Sequence, residues 1–113
     1  MGMMDGDKDP VAAIALTMVP RVGDVHARIL MERYGDASTV FQADRRELEA
    51  IPGIGSVRAT SIRTFRAFNL ARAEWEWANR HGVEVIVFGT KAYPRRLAHC
   101  ADAPLVLYGK GDL

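Results

Sequence analysis

Cysteine is almost absent from this sequence, because Cys100 is the single thiol among 113 residues. A lone cysteine forms no disulfide within the chain, which excludes a disulfide-stapled fold and indicates a reducing compartment. We interpret Cys100 as a small buried hydrophobic residue. The longest apolar run, 11–16, is too short to span a bilayer, and residues 1–9 lack the basic and apolar segments of a secretory leader. These absences predict a cytoplasmic protein.

An excess of charge is also missing, since 15 basic and 14 acidic side chains give a net charge of +1. This balance excludes a strongly basic or acidic tail. The histidines His26, His81 and His99 lack metal-ligand spacing, and neither a GxGxxG turn nor a Walker loop occurs. Because no nucleophile has a paired base either, we predict that the chain is not an enzyme and has no cofactor or metal.

Helical patterns extend from about residue 10 to residue 81 of the sequence. Asp9 followed by Pro10 marks a helix start, and the helix it opens is apolar on every side, as expected at the centre of a core. Asp36, Asp44 and Ser56 are predicted N-caps, and Gly35 a left-handed C-cap. The predicted helices cover about 10–19, 24–34, 37–43, 45–50 and 56–68, and a last helix with an apolar stripe of Leu70, Ala73 and Trp77 ends at His81.

The pattern changes at Gly82. The run 83–88 is rich in β-branched residues and predicts a strand buried on both faces, 105–108 predicts a second strand, and Tyr93-Pro94 begins a loop with one helical turn. Two buried strands do not make a stable sheet alone, so we expect an α/β domain that continues beyond the sequence. The predicted organisation is a disordered tail at 1–9, a helical domain at 10–82 and the first piece of an α/β domain at 83–113.

A repeat with an offset of 32 residues is the most informative feature. The segment 19–23, Val-Pro-Arg-Val-Gly, aligns with 51–55, Ile-Pro-Gly-Ile-Gly, and we name these segments the first hairpin and the second hairpin. The similarity continues into the helix after each hairpin. Two such units imply a doubled supersecondary element, and the pattern resembles the helix-hairpin-helix motif.

The second hairpin has the features of a phosphate site. Glycine reaches positive φ without steric cost, and the free amides that follow it lie at the positive end of a helix dipole. Ile54 is expected to point inward between the two helices. Residues 51–68 contain three arginines and no acid, and the arginines are expected on one ragged helix face. The predicted DNA-binding residues are Gly53, Ile54, Gly55, Ser56, Val57, Arg58, Arg63, Arg66 and Arg21, and they would contact phosphates rather than bases.

Two questions stay open at this point. Arg21 stands where the first glycine is expected, and a left-handed conformation there costs about 1–2 kcal/mol, so either the turn differs or the strain is tolerated. We expect the first hairpin to be structural, although Arg21 could itself reach a phosphate. The same turn also joins packed helices that never touch DNA, so the alternative is a protein-interaction or packing module. For Trp75 we favour packing against the α/β part over base stacking.

The order of motifs resembles the N-terminal region of the DNA-processing protein family DprA, also called Smf. The resemblance rests on the doubled hairpins and on three later segments, 78–86, 93–97 (Tyr-Pro-Arg-Arg-Leu) and 102–113, which ends Gly-Asp-Leu. It implies a mainly α fold: a SAM-like bundle of short helices with two helix-hairpin-helix units, followed by the opening strands of a truncated α/β Rossmann-like domain.

The same resemblance implies a cytoplasmic recombination mediator of natural transformation. Such a protein binds single-stranded DNA, helps load RecA recombinase and dimerises through the Rossmann-like domain. This chain would supply an accessory DNA-binding module.

Overall fold

The computed structural model describes residues 8–110, so most of the predicted tail lies outside it. The described part is mainly helical, with a short two-stranded sheet. Its elements are α1 (Pro10–Met18), α2 (Asp24–Tyr34), α3 (Ala37–Gln42), α4 (Arg45–Glu49), α5 (Gly55–Thr64), α6 (Phe68–Arg80), β1 (Val83–Val87), α7 (Arg95–Ala98) and β2 (Val106–Lys110).

Helix α1 forms the centre of the core. The Asp9 carboxylate accepts the Ala12 N–H at 3.1 Å and Pro10 occupies the first turn, which confirms the predicted start. All five residues 12–16 are buried, as the uniformly apolar sequence predicts. The helix packs against α3 and α6 and also contacts β1, so one core joins the helices to the sheet.

The predicted caps have mixed outcomes. Asp36 and Asp44 cap α3 and α4, and Gly35 ends α2 at φ +83°, so these three predictions are confirmed. The Ser56 cap is wrong: α5 begins one residue earlier, at Gly55, and no side chain caps it. The predicted extension of α5 to residue 68 is also wrong, because the chain turns extended at the buried Phe65 and α6 begins at Phe68.

The buried face of α6 differs from the predicted stripe. Ala71 and Ala78 are buried and Trp75 is half-buried against the core, whereas Leu70 and Trp77 are 57% and 49% exposed. Small side chains at the contact let α6 approach α1 closely, so the alanines and not the larger residues face inward. Trp75 packs against the core, and its predicted contact with the α/β part stays a prediction.

Strands β1 and β2 pair in antiparallel register, with Val83 opposite Lys110 and Val87 opposite Val106. The prediction that β1 is buried on both faces is wrong, since only Val87 is buried and the rest of the strand is partly or largely exposed. In an antiparallel sheet one face can pack against the core while the other face stays in contact with solvent. Cys100 is exposed, which also corrects its interpretation as a buried residue.

Candidate nucleic-acid interface

The two hairpins share the first part of their turn and differ at the last glycine, where Gly23 has a φ of −94° and Gly55 a φ of +72°. The Val22 N–H donates to the Val19 carbonyl at 3.3 Å, and the Ile54 N–H donates to the Ile51 carbonyl at 3.0 Å. Arg21 has a φ of +71° and its counterpart Gly53 a φ of +93°. The first hairpin therefore tolerates the left-handed strain at a residue with a side chain, which answers one of the questions left open by the sequence.

The apolar positions of both hairpins point into the core. Val19 and Val22 are buried in the first hairpin, and Ile51 and Ile54 are buried in the second. Ile54 is only 1% exposed, so its predicted inward orientation is confirmed. These buried side chains fix each turn against the core, and the residue at positive φ stays on the surface.

The polar side of the second hairpin is open to solvent. Gly53, Gly55, Ser56 and Val57 are all exposed. Gly55, Ser56 and Val57 are the first residues of α5, where N–H groups have no carbonyl partner within the helix. No side chain caps this end, and no acceptor among residues 8–110 bonds to these three amides. Three backbone donors thus point outward from the positive end of a ten-residue helix.

The first hairpin has one bonded amide and an acid beside the amides that follow it. The Gly23 N–H donates to Nδ1 of His26 at 3.2 Å, and Asp24 places a carboxylate in the first turn of α2. The repeat aligns Asp24 with Ser56 and His26 with Arg58, both just after the second hairpin. An acid beside the amides repels an anion, whereas serine and arginine do not. The sequence contains this difference, but a comparison of only the apolar and glycine positions of the repeat does not reveal it.

Arg58 connects the two hairpins. Its Nε donates to the Arg21 carbonyl at 3.0 Å, and its Nη1 lies 3.4 Å from the Ile54 carbonyl. The half-buried guanidinium keeps further N–H donors beyond these two contacts. Burial, and then the charge of Arg58, lower the pKa of His26 below its ordinary value of 6.5. A neutral His26 ring suits the hydrogen bond that it accepts from Gly23.

The other two predicted arginines lie at the far end of α5. Arg63 donates from Nη1 to the Phe41 carbonyl at 2.6 Å, and Arg66 donates from Nη1 to the Phe65 and Arg63 carbonyls at 2.9 Å. The predicted helix face through all three arginines is wrong, because α5 ends at Thr64 and Arg66 lies beyond it. Both side chains are nevertheless exposed, so this end of α5 carries two cations at the surface.

Comparison with known families decides what kind of module this is. The family profile described as "Helix-hairpin-helix motif" matches residues 13–73, more than half of the sequence and both hairpins. The chain belongs to this helix-hairpin-helix family. The matched range runs from α1 into α6, so the family unit includes the helices that bury the two turns. The helix-hairpin-helix assignment indicates DNA binding as the general role.

Two DNA ligases share part of this helix-hairpin-helix chain. Those of Limosilactobacillus reuteri (strain DSM 20016) and Desulforudis audaxviator (strain MP104C) are each 43% identical to it over 49 residues. The matched segment is 43% of this chain but only 7% of each ligase. No solved structure matches the chain.

Neither a membrane-spanning helix nor a group of metal ligands occurs in the described part of the chain. None of its helices is long and apolar enough to cross a membrane. Within residues 8–110, no group of three or more His, Cys, Asp or Glu side chains is placed to hold a metal ion.

Proposed function

We propose that this chain is a sequence-independent DNA-binding module whose second hairpin holds a phosphate of the DNA backbone. The observation that carries the proposal is the set of three outward amides at Gly55, Ser56 and Val57, without an acid beside them. Amides at a helix N-terminus bind phosphate through hydrogen bonds and the helix dipole. Arg58, one turn into α5, adds a cation at the same end.

The charge of the surrounding surface supports the same conclusion. Arg63 and Arg66 are exposed at the other end of α5, so a DNA strand that follows this helix would meet cations at both ends. Arg21 lies exposed beside the Arg58 contact and is available to a flanking phosphate. We assign the first hairpin a structural role, because its Gly23 amide is already bonded to His26 and the Asp24 carboxylate would repel a phosphate from the amides that follow.

The finer assignment remains part of the proposal. We propose that the chain is the N-terminal part of a cytoplasmic DprA-like recombination mediator of natural transformation, which binds single-stranded DNA and helps load RecA. The support is the sequence beyond the hairpins, above all 93–97 and 102–113. In this assignment the chain is not an enzyme, residues 83–113 open a Rossmann-like domain, and dimerisation belongs to the rest of that domain.

A titration of labelled oligonucleotide tests the DNA-binding proposal. We expect weak binding at about 50 mM salt, with log K falling against log[salt] with a slope of about −1.5 to −2 for two or three phosphate contacts to a single strand. The double variant Arg58→Ala, Arg63→Ala should lose most of this affinity and flatten the slope. Its free energy of unfolding must be measured in parallel, because Arg58 also bonds the Arg21 carbonyl.

The matched control is Arg33→Ala, Arg80→Ala. These two exposed arginines lie at the ends of α2 and α6, and their removal changes the net charge by the same amount. The control should bind DNA nearly as well as the parent chain. Absence of binding by the parent, or equal losses in the two double variants, would refute a site at the second hairpin.

A protein-interaction module is the second candidate, and one observation favours it. Leu70 and Trp77 on α6 and Tyr108 on β2 are each about half exposed. Apolar side chains of this size on the surface are typical of protein contacts. Mapping of NMR shifts discriminates the two: DNA should perturb the amides of 53–58, whereas a protein partner without DNA should perturb α6.

A further inference from the structure

A groove near the far end of α5 is not used by the proposed phosphate site. It has a volume of about 430 Å³ and lies between the start of α1, α3 and the start of α6. Its walls include Ala12, Ser38, Phe41, Phe68, Asn69 and Arg72. Asp9 also borders it, but that carboxylate is engaged with the Ala12 N–H. A volume of this size falls within the range of pockets that bind small molecules.

Three aromatic rings form one side of the groove and the surface next to it. The ring of Phe68 meets Phe41 edge-to-face at 4.9 Å and 75°, and meets Phe65 at 5.0 Å and 86°. Phe65 is buried, whereas Phe68 is 39% exposed. The two neighbours therefore hold Phe68 in one orientation while part of its ring stays open to a ligand.

Polar groups of the right kind lie around this ring. Arg72 follows Phe68 by one turn of α6, on the same side of the helix, and Asn69 offers both a donor and an acceptor. Arg63 reaches the groove wall, because its guanidinium donates to the Phe41 carbonyl. An aromatic face with arginine and amide groups beside it suits a nucleobase, which stacks through its ring and hydrogen-bonds through its edge.

Helix α5 leads from the proposed phosphate site toward the groove, because Arg63 near its end bonds the Phe41 carbonyl. Helix α5 has ten residues and so is about 15 Å long, with the open amides at its start and Arg63 at its last turn. A strand held at the second hairpin and running along α5 reaches the groove within a few nucleotides. Bases in an intact duplex are stacked on each other, so only an unpaired base is free to enter.

We infer that the groove between α1, α3 and α6 takes an unpaired nucleobase of single-stranded DNA, stacked on Phe68 and flanked by Asn69 and Arg72. This inference rests on the proposed function and adds to it a second contact, with a base rather than a phosphate. Stacking on one aromatic side chain is sequence-tolerant, so the site would favour single strands without selecting a base.

Fluorescence anisotropy with two labelled probes tests the inference on the full chain. One probe is an oligothymidylate, and the other is an abasic oligonucleotide with the same number of phosphates. We expect the oligothymidylate to bind about 5- to 100-fold more tightly, since stacking of one base contributes that much. Phe68→Leu should remove this preference and leave the affinity for the abasic probe unchanged, whereas Phe68→Tyr should retain it.

Leu70→Ala is the matched control, because Leu70 is an exposed apolar residue of α6 outside the groove. It should leave both affinities unchanged. Equal binding of the two probes by the parent chain would overturn the base site and leave the phosphate site standing. Equal weakening of both probes by Phe68→Leu would also overturn it, and failure of both probes to bind the parent chain would refute the proposed function itself.

Discussion

The first and second hairpins begin with the same bend but differ at their last glycine and in the residues after it. Both bury two apolar side chains and both place the residue between them, Arg21 or Gly53, at positive φ. Gly55 of the second hairpin is also at positive φ, +72°, whereas Gly23 of the first has a φ of −94°. The Gly23 amide donates to His26 and Asp24 adds a negative charge, whereas the Gly55 amide has no partner in the described structure and no acid follows it. The same bend therefore leads into two helix starts that differ in backbone conformation and in charge.

The comparison also shows how the two turns depend on each other. The Arg58 side chain of the second hairpin donates to the backbone carbonyl of Arg21 in the first. The strained residue of the first hairpin thus lies under the guanidinium of the second. The first hairpin therefore helps to hold the second in position.

The largest expected effect concerns the buried anchors. Ile54→Ala should lower the free energy of unfolding by about 2–5 kcal/mol, because the side chain is fully buried and leaves a cavity. Val22→Ala at the equivalent position should cost less, since fewer methyl groups are lost. Urea denaturation followed by circular dichroism measures both, and a larger loss for Val22→Ala would contradict the expectation that the loss scales with the methyl groups removed.

A charge exchange tests the polar difference. Ser56→Asp gives the second hairpin the acid of the first, and we expect DNA affinity to fall about tenfold, or about 1.4 kcal/mol, through repulsion of the phosphate. The same acid should stabilise the helix by about 0.3–1 kcal/mol through the dipole. Weaker binding together with a higher free energy of unfolding separates this effect from misfolding.

Ser56→Asn is the control for the charge exchange, since asparagine has the size of aspartate without its charge. DNA affinity should then stay within about twofold of that of the parent chain. An equal loss with Asn would show that the side chain's size, and not its charge, acts at this position.

The left-handed residues give a smaller and opposite pair of effects. Arg21→Gly relieves strain of about 1–2 kcal/mol but adds chain entropy of about 0.5–1 kcal/mol, so a net stabilisation of about 0.5–1 kcal/mol is expected. Gly53→Ala should destabilise, because φ is +93° and the new Cβ would lie 3.1 Å from Cδ1 of Ile29. Thermal unfolding measures both, and destabilisation by Arg21→Gly would contradict the shared-turn description.

The pH dependence of the first hairpin is the smallest expected effect. The pKa of His26 is below 6.5 in the folded chain, so the unfolded chain takes up a proton first as the pH falls. Stability should therefore be constant above about pH 7 and decrease as the pH falls through 6.5 toward the folded pKa. Arg58→Ala should raise the His26 pKa measured by NMR titration, and an unchanged value would show that the arginine has no influence there.

Local signals in the sequence predicted much of the fold. Asp9, Asp36 and Asp44 gave correct helix starts, and Gly35 a correct end, because caps act through neighbouring backbone groups. The errors lie where tertiary contacts decide. Ala71 and Ala78 are the buried residues of α6, which packs against α1 and β1, and a pattern of large apolar residues does not reveal such a packed face.

The candidate site was partly predictable for the same reason. The position of the open amides follows from the repeat and the glycines, and the inward orientation of Ile54 follows from its place between them. The Arg58–Arg21 contact joins residues 37 positions apart, and the aromatic cluster of the groove joins α3 to α6. Such non-local contacts depend on how the helices pack, which a single sequence does not encode in any local pattern.

The two-stranded sheet has a consequence for how this chain combines with other polypeptide. Each strand pairs on one side only within residues 8–110, so β1 and β2 both keep an outer row of N–H and C=O groups with no ladder partner there. Such a row of groups can pair with another strand. One further strand on either side would extend the hydrogen-bonded ladder without disturbing the helical core.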